Sequence, residues 1–222
     1  MPIKWEIPSS WSLVKLGEIA PENSSQIIPS NSPDQVFNYW GLDAIDKGNF
    51  EEPPPNYIRG NQVSSTCVKF DTSHILYAKL RPYLNKVIVP TQSGIGSTEW
   101  IPLKPDPSRL DRNFLAFALR TSRFVDYAQR NSTGARMPRV RKVALWNADI
   151  PIPYPEEPER SLAEQRRIVA RIEALLAEVR EMRKLHDEIT ADANKLMDAV
   201  RSEAFYRGKP LPAEWEYRSL EV

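Results

Sequence analysis

The chain has 222 residues, 41% hydrophobic and 27% charged, the balance of an ordinary globular protein and not of a disordered one. No run approaches about 18 consecutive apolar residues, so no transmembrane helix is expected, and Met1 to Ser12 lacks the basic and apolar segments of a secretory signal. A single cysteine, Cys67, excludes an internal disulfide or a cysteine-based zinc cluster and fits a reducing, cytoplasmic setting, while the net charge of +1 argues neither for nor against nucleic acid.

Taken in chain order, residues 1–158 read as a mixed α and β domain, α+β in class. Short runs rich in β-branched and aromatic residues predict strands at Val36 to Trp40, Thr66 to Phe70, Ile75 to Leu80, Lys86 to Pro90, Thr98 to Leu103 and Val143 to Ile150. One amphipathic helix is expected from Asp111 to about Gln129, with Leu115, Ala118, Leu119 and Val125 on one face. There are 20 prolines and only 8 glycines, which favours stiff extended connections. Pro53-Pro54-Pro55 and Pro151-Ile152-Pro153-Tyr154-Pro155 are such segments, and the second runs straight into a stretch of different composition.

From Glu159 to Arg207 there is neither proline nor glycine, and Ala, Glu, Arg, Leu and Lys dominate. This predicts one long helix over 159–208. Pro158 precedes it, Ser161 and Glu164 have capping-box spacing, and Gly208 with Pro210 mark its end. At about 1.5 Å per residue it is about 70 Å long, more than a small domain is wide. Ile168, Ile172, Leu175, Val179, Met182, His186, Ile189, Ala193, Leu196 and Val200 recur at alternating spacings of four and three, a heptad seam. His186 is its polar member and reads as a register-setting or partner-facing residue, since no second metal-type residue is spaced to join it. A seam of this length needs a partner. A second copy of the chain is expected to supply it, giving a homodimer of antiparallel helices with a domain at either end.

Residues 209–222 repeat the N-terminus. Leu211, Pro212, Trp215 and Leu220 match Ile7, Pro8, Trp11 and Leu16 at an offset of 204, so a second unit is expected to begin here.

The modest net charge hides a cationic stretch. Arg120, Arg123, Arg130, Arg136, Arg139, Arg141 and Lys142 face Asp126 alone within 23 residues. The middle of this stretch, Gln129 to Arg139, reads as an exposed loop whose Arg, Asn, Ser and Thr donors suit phosphate oxygens and base edges. Lys79, Arg81 and Lys86 form a second cluster around Tyr83 and Asn85. With so few local carboxylates, double-stranded DNA is favoured over a solvated face with scattered ion pairs. Lys79, Arg81, Lys86, Arg130, Arg136, Arg139, Arg141 and Lys142 are the candidate contacts. Arg136, after Gly134, is the candidate base reader.

Catalytic signatures are mostly missing. Two histidines leave little for His-based catalysis, and no glycine-rich phosphate loop or Asp-x-Lys pair occurs. Pro53-Pro54-Pro55-Asn56-Tyr57 holds the letters of an amino-methyltransferase motif in the wrong order. Cys67, inside an expected strand, reads as a buried apolar residue.

Several stretches resemble the specificity subunits of type I restriction–modification enzymes. Ile75-Leu76-Tyr77-Ala78-Lys79-Leu80-Arg81-Pro82-Tyr83-Leu84-Asn85-Lys86 resembles a strand-turn of their target recognition domains, and Gly96-Ser97-Thr98-Glu99-Trp100-Ile101-Pro102-Leu103 a second strand. Ser132-Thr133-Gly134-Ala135-Arg136 is similar to a loop of that domain. Ile150-Pro151-Ile152-Pro153 followed by Ala163-Glu164-Gln165-Arg166-Arg167-Ile168-Val169 is similar to the start of the family's long helix, and Pro8 and Trp11 fit as well. The resemblance implies a DNA-reading subunit, without catalysis or cofactor. It would read one half of a bipartite target and hold separate modification (methyltransferase) and restriction subunits. Such subunits carry two recognition domains and two long helices, whereas this chain has one of each. A stand-alone regulator dimerised by its coiled coil, without methyltransferase partners, is the competing reading.

Overall fold

Mostly antiparallel strands with the helices segregated from them, as the α+β reading expects, make up the computed structural model, which describes residues 6–48 and 51–206, Tyr206 by its backbone alone. Two units divide the chain, Met1–Arg171 and Ile172–Val222. The first contains β1 (Trp11–Lys15), α1 (Leu16–Ile19), β2 (Ser25–Ile27), β3 (Val36–Trp40), β4 (Asn56–Arg59), β5 (Cys67–Phe70), β6 (Ile75–Ala78), β7 (Val87–Ile88), β8 (Gly94–Ser97) and β9 (Trp100–Leu103). Then come α2 (Arg112–Arg120), α3 (Ser122–Arg130), β10 (Ser132–Thr133), β11 (Arg139–Val140), α4 (Lys142–Trp146), β12 (Asp149–Pro153) and the first turns of α5 (Pro158–Tyr206).

A five-stranded sheet has the order β2-β5-β8-β3-β4, and a three-stranded sheet the order β7-β6-β9. β6 is buried along its whole length, and the two-residue period of a strand divides it between two cores. Ile75 and Tyr77 enter the larger core with Ile101, Leu103, Leu115, Leu119 and Phe124. Leu76 and Ala78 join Trp40, Val68, Phe70 and Trp100. Burying a side chain such as Ile75 or Leu76 contributes about 1.5–3 kcal/mol, so this strand ties the halves of the domain together. The two large indoles are polar-satisfied: Trp100 Nε1 donates to Trp40 O at 3.0 Å and Trp40 Nε1 to Pro53 O at 3.0 Å. Gly96 is required where these meet, because a Cβ there would stand 2.9 Å from Trp40 O and 2.8 Å from Trp100 Cδ1.

β1 pairs antiparallel with β12, from Trp11 opposite Pro153 to Lys15 opposite Asp149. This joins the opening segment to the proline-rich one far along the chain. β12 is paired on one side only, so the missing N–H groups of Pro151 and Pro153 cost the ladder little.

Five of the six expected strands are present within a few residues. The sixth is not: in place of a strand over Val143 to Ile150, Lys142–Trp146 is helical and the strand begins at Asp149. Val143 is exposed and Leu145 buried, a helical alternation that a short apolar run does not announce. The single helix expected from Asp111 is broken at Thr121, which is extended with φ −62° and ψ 146°. Its hydroxyl donates to Ala118 O at 2.7 Å, closing α2, and accepts from Phe124 N at 3.4 Å, capping α3. Asp111 caps α2 through Asn113 N and Phe114 N. Gln129 to Arg139 is only partly loop: α3 runs to Arg130, and β10 and β11 form a hairpin. Cys67 is buried, as expected.

The long helix is present and starts at Pro158, a position where a missing N–H is harmless. Ser161 is not its cap. It is buried, and its hydroxyl accepts from Gln165 Nε2 at 3.0 Å. Gln165 also donates to Arg109 O at 3.0 Å and accepts from Asp111 N at 2.8 Å. Gly208, Pro210 and the repeat over 209–222 lie outside the described residues.

Candidate nucleic-acid interface

The two cationic clusters, some 50 residues apart in sequence, are one structure in the fold. β6 ends at Ala78, and the chain continues beside β11. Leu80 bridges Arg139, Val140 N donates to Lys79 O at 3.0 Å, and Arg81 N donates to Pro138 O at 2.7 Å. On the other side Lys79 N donates to Glu99 O at 3.0 Å. The Lys79–Arg81 segment therefore lies between the residues before β9 and the base of the β10–β11 hairpin.

Local backbone geometry shapes this region. Arg81 and Asn85 adopt left-handed conformations, φ 49° and 51°, on either side of the turn Pro82–Leu84. Tyr83 is exposed at its centre. In the hairpin, Ser132 faces Val140 and Thr133 faces Arg139. Gly134 opens the connecting loop with φ 100°, a conformation that needs glycine. Residues 134–137 are all exposed.

The eight candidate cations fall into two groups. Arg139 meets Glu99: Nε donates to both carboxylate oxygens at 3.0 Å and Nη2 to Oε1 at 2.7 Å. These bonds hold the Arg139 pKa above its ordinary value. Lys79 Nζ donates to Thr98 O at 2.7 Å and lies 4.0 Å from Glu99 Oε2. Lys142 Nζ pairs with both oxygens of Glu22, at 2.7 and 2.8 Å. Lys86 Nζ donates to Leu42 O at 2.6 Å. In contrast, Arg81, Arg130, Arg136 and Arg141 are exposed, and their side chains make no hydrogen bond or ion pair among the described residues.

The expectation that the cationic stretch has few internal partners is thus corrected. Arg139 and Lys142 take carboxylates from outside it, and Arg123 lies 3.9 Å from Glu6. Arg120 is largely buried and donates to Val87 O, and that burial depresses its pKa to about 10. Glu22 and Glu99 went unread as partners because they are 120 and 40 residues from their cations. The one hint for Glu99 is a charge set between Thr98 and the buried Trp100.

Along the long helix the apolar seam is divided. Ile168 packs against the larger core, as does the buried Val169 beside it. In the second unit Leu175, Val179, Met182, Ile189, Leu196 and Val200 are 37–68% exposed, as are Leu185 and Met197 beside them. His186 is exposed too, and its carbonyl accepts from Thr190 Oγ1 at 2.8 Å. No helix among the described residues is long and apolar enough to cross a membrane.

Residues 8–191 match the family model of the type I restriction modification DNA specificity domain. The type I restriction enzyme EcoDI specificity subunit of Escherichia coli is 29% identical over 216 residues, 97% of this chain and 46% of that protein. The HsdS subunit of Thermoanaerobacter tengcongensis superposes with a TM-score of 0.71 at 29% identity, covering 96% of this chain and 54% of that one. A chain from a type I R-M system studied for its complex assembly and conformational transition gives 0.76 at 29% identity, with the same coverage. The chain thus spans about half the length of the relatives it matches.

Proposed function

Because the chain belongs to the family of type I restriction modification DNA specificity domains, we propose that it reads one half of a bipartite double-stranded DNA target and catalyses no reaction itself. It scaffolds modification (methyltransferase) subunits, which act on the DNA, and restriction subunits. The setting is the cytoplasm, where such a system meets DNA. No cofactor is required for reading.

The observation that carries this reading is the bridge between Leu80 and Arg139. It gathers Arg81, Arg136 and the base of the hairpin into one exposed, donor-rich region of a domain whose relatives are specificity subunits. Phosphate and sugar take half to two-thirds of protein–DNA hydrogen bonds, so most of the exposed arginines contact the backbone. Arg136, on the loop opened by Gly134, reads a base edge.

The exposed seam from Ile172 onward packs on another long helix. In solutions of the 222-residue chain that helix comes from a second copy, antiparallel to the first, and modification subunits assemble on the paired chains. A pull-down with cognate modification subunits separates this reading from a stand-alone regulator. Selection of bound DNA from a random pool by the reconstituted complex tests recognition itself. Enrichment of no sequence overturns the reading.

A further inference from the structure

We propose that Glu99 is a positioning residue for DNA reading: its carboxylate turns Arg139 from a DNA contact into a brace that fixes the 134–138 loop. The inference rests on the DNA-reading role proposed above and goes beyond it, since it assigns a function to an acidic residue in a cationic region.

Three observations support it. First, the arginine is engaged on two sides, with Nε and Nη2 both donating to the Glu99 carboxylate and Nη1 donating to Met137 O of the loop at 3.3 Å. A guanidinium held in this fork has its most directional donors occupied. Second, Glu99 is anchored where it stands. Its backbone amide donates to Ser97 Oγ at 3.2 Å, and its carbonyl accepts from Lys79 N at 3.0 Å. Trp100, the next residue, is buried. Glu99 is thus a rigid point at the edge of a core-forming strand, whereas Arg139 stands at the end of the loop it closes. Third, the backbone pairing at this place is short. β10 and β11 have two residues each, and Leu80–Arg139 is a single bridge. So little pairing leaves much of the loop's order to side chains, and the Glu99–Arg139 fork is the strongest of these.

Charge alone predicts the opposite outcome. A carboxylate near a DNA-binding face repels phosphate, so its removal ordinarily tightens binding to every sequence and steepens the dependence on salt. If Glu99 positions the loop, its removal weakens binding to the cognate site.

Glu99→Gln and Glu99→Ala should be compared with the unsubstituted chain on selected and scrambled duplexes at two salt concentrations, alongside limited trypsin digestion without DNA. The expected result is a loss of about ten-fold or more in affinity for the selected duplex, the scale of a lost bidentate contact. Affinity for the scrambled one is unchanged or higher, and cleavage after Arg136 is faster. Exchange of the pair, Glu99→Arg with Arg139→Glu, restores slow cleavage and part of the discrimination. Tighter binding of both duplexes, or unaltered binding and cleavage, overturns the proposal. If the unsubstituted chain itself fails to discriminate the duplexes, the DNA-reading role falls and this inference with it; faster cleavage in the variants then reports a brace that serves some other purpose. A variant that loses its cooperative thermal transition is replaced by Arg139→Lys, which keeps the charge and removes the fork. Unchanged discrimination in Arg139→Lys also counts against the proposal.

Discussion

Whether a surface cation is available to a phosphate depends on what else it touches. The side chains of Arg130, Arg136 and Arg141 make no hydrogen bond or ion pair among the described residues, while Lys142 holds Glu22 by both carboxylate oxygens. Exposed ion pairs of this kind contribute little to stability, a median of about 0–1 kcal/mol, so their effect on the fold is small. Their effect on binding is larger, because an engaged cation has to leave its carboxylate before it neutralises DNA. The free arginines therefore sort by what they do. Arg130→Ala and Arg141→Ala should weaken binding to all duplexes alike and flatten log affinity against log salt by about one unit each. Lys142→Ala should change that slope by less. Arg136→Ala should cost roughly 1–3 kcal/mol at one base pair of the selected site, relax preference there and leave the slope nearly unchanged. Fluorescence anisotropy at two salt concentrations measures all four. If Arg136→Ala binds the selected site and the altered site each with the same affinity as the unsubstituted chain does, that residue is removed from the interface.

At the level of elements, the sequence was most legible where a strand is buried on a clear pattern. β3, β5, β6 and β9 are rich in β-branched or aromatic residues, and their cores lie where that composition put them. It was least legible where short-range signals compete. Val143 to Trp146 is apolar enough for a strand, but its exposed valine and buried Leu145 belong to one turn of helix. Thr121 carries the side chain of a helix cap, yet the helical pattern continues past it, so the break was hidden. Ser161 and Glu164 had the right spacing for a cap, but Pro158 started the helix a turn earlier and left Ser161 facing the core. Partners such as Glu99 and Arg139 depend on topology, which no local window contains. Gln165 shows what such a partner is worth. It is fully buried, and all three of its hydrogen bonds join the start of α5 to the segment around the α2 cap or to Ser161. Gln165→Leu keeps the volume and leaves the Asp111 amide, the Arg109 carbonyl and the Ser161 hydroxyl without this partner. The first two are only partly shielded from water, and the buried hydroxyl can turn to a backbone carbonyl of its own helix, so the expected cost is about 1–2 kcal/mol. For a domain of this size that is a fall of about 2–8 °C in Tm. Calorimetry that showed no change in Tm would mean that water replaces the amide without loss.

For the whole molecule, the governing fact is the seam on the second unit. Leu175, Met182, Ile189 and Leu196 are 43–68% exposed at heptad spacing, too much contiguous apolar surface to leave in water. If a second copy covers it, Leu175→Asp places a charge in the seam. It should shift the chain toward monomer in sedimentation experiments while the first unit keeps its thermal transition. A stable, well-folded monomer of the unsubstituted chain at micromolar concentration contradicts the pairing.

The symmetry of that pairing decides what DNA the assembly reads. Two identical chains related by a two-fold axis present the same reading surface twice, in opposite orientations. In such an assembly each surface would select the same half-site, and the expected target is an inverted repeat. Surfaces held apart by paired helices would leave the halves parted by a gap of fixed length whose bases are not read. Within each half, mismatches should cost roughly 1–3 kcal/mol apiece, and within the gap almost nothing. Adding or removing a base pair in the gap should be costly, because it rotates one half-site about the duplex axis relative to the other. Selection from a random pool, followed by binding to duplexes of altered gap length, measures both effects. Recovery of a continuous, asymmetric site, or indifference to gap length, contradicts a two-fold assembly held by its long helices.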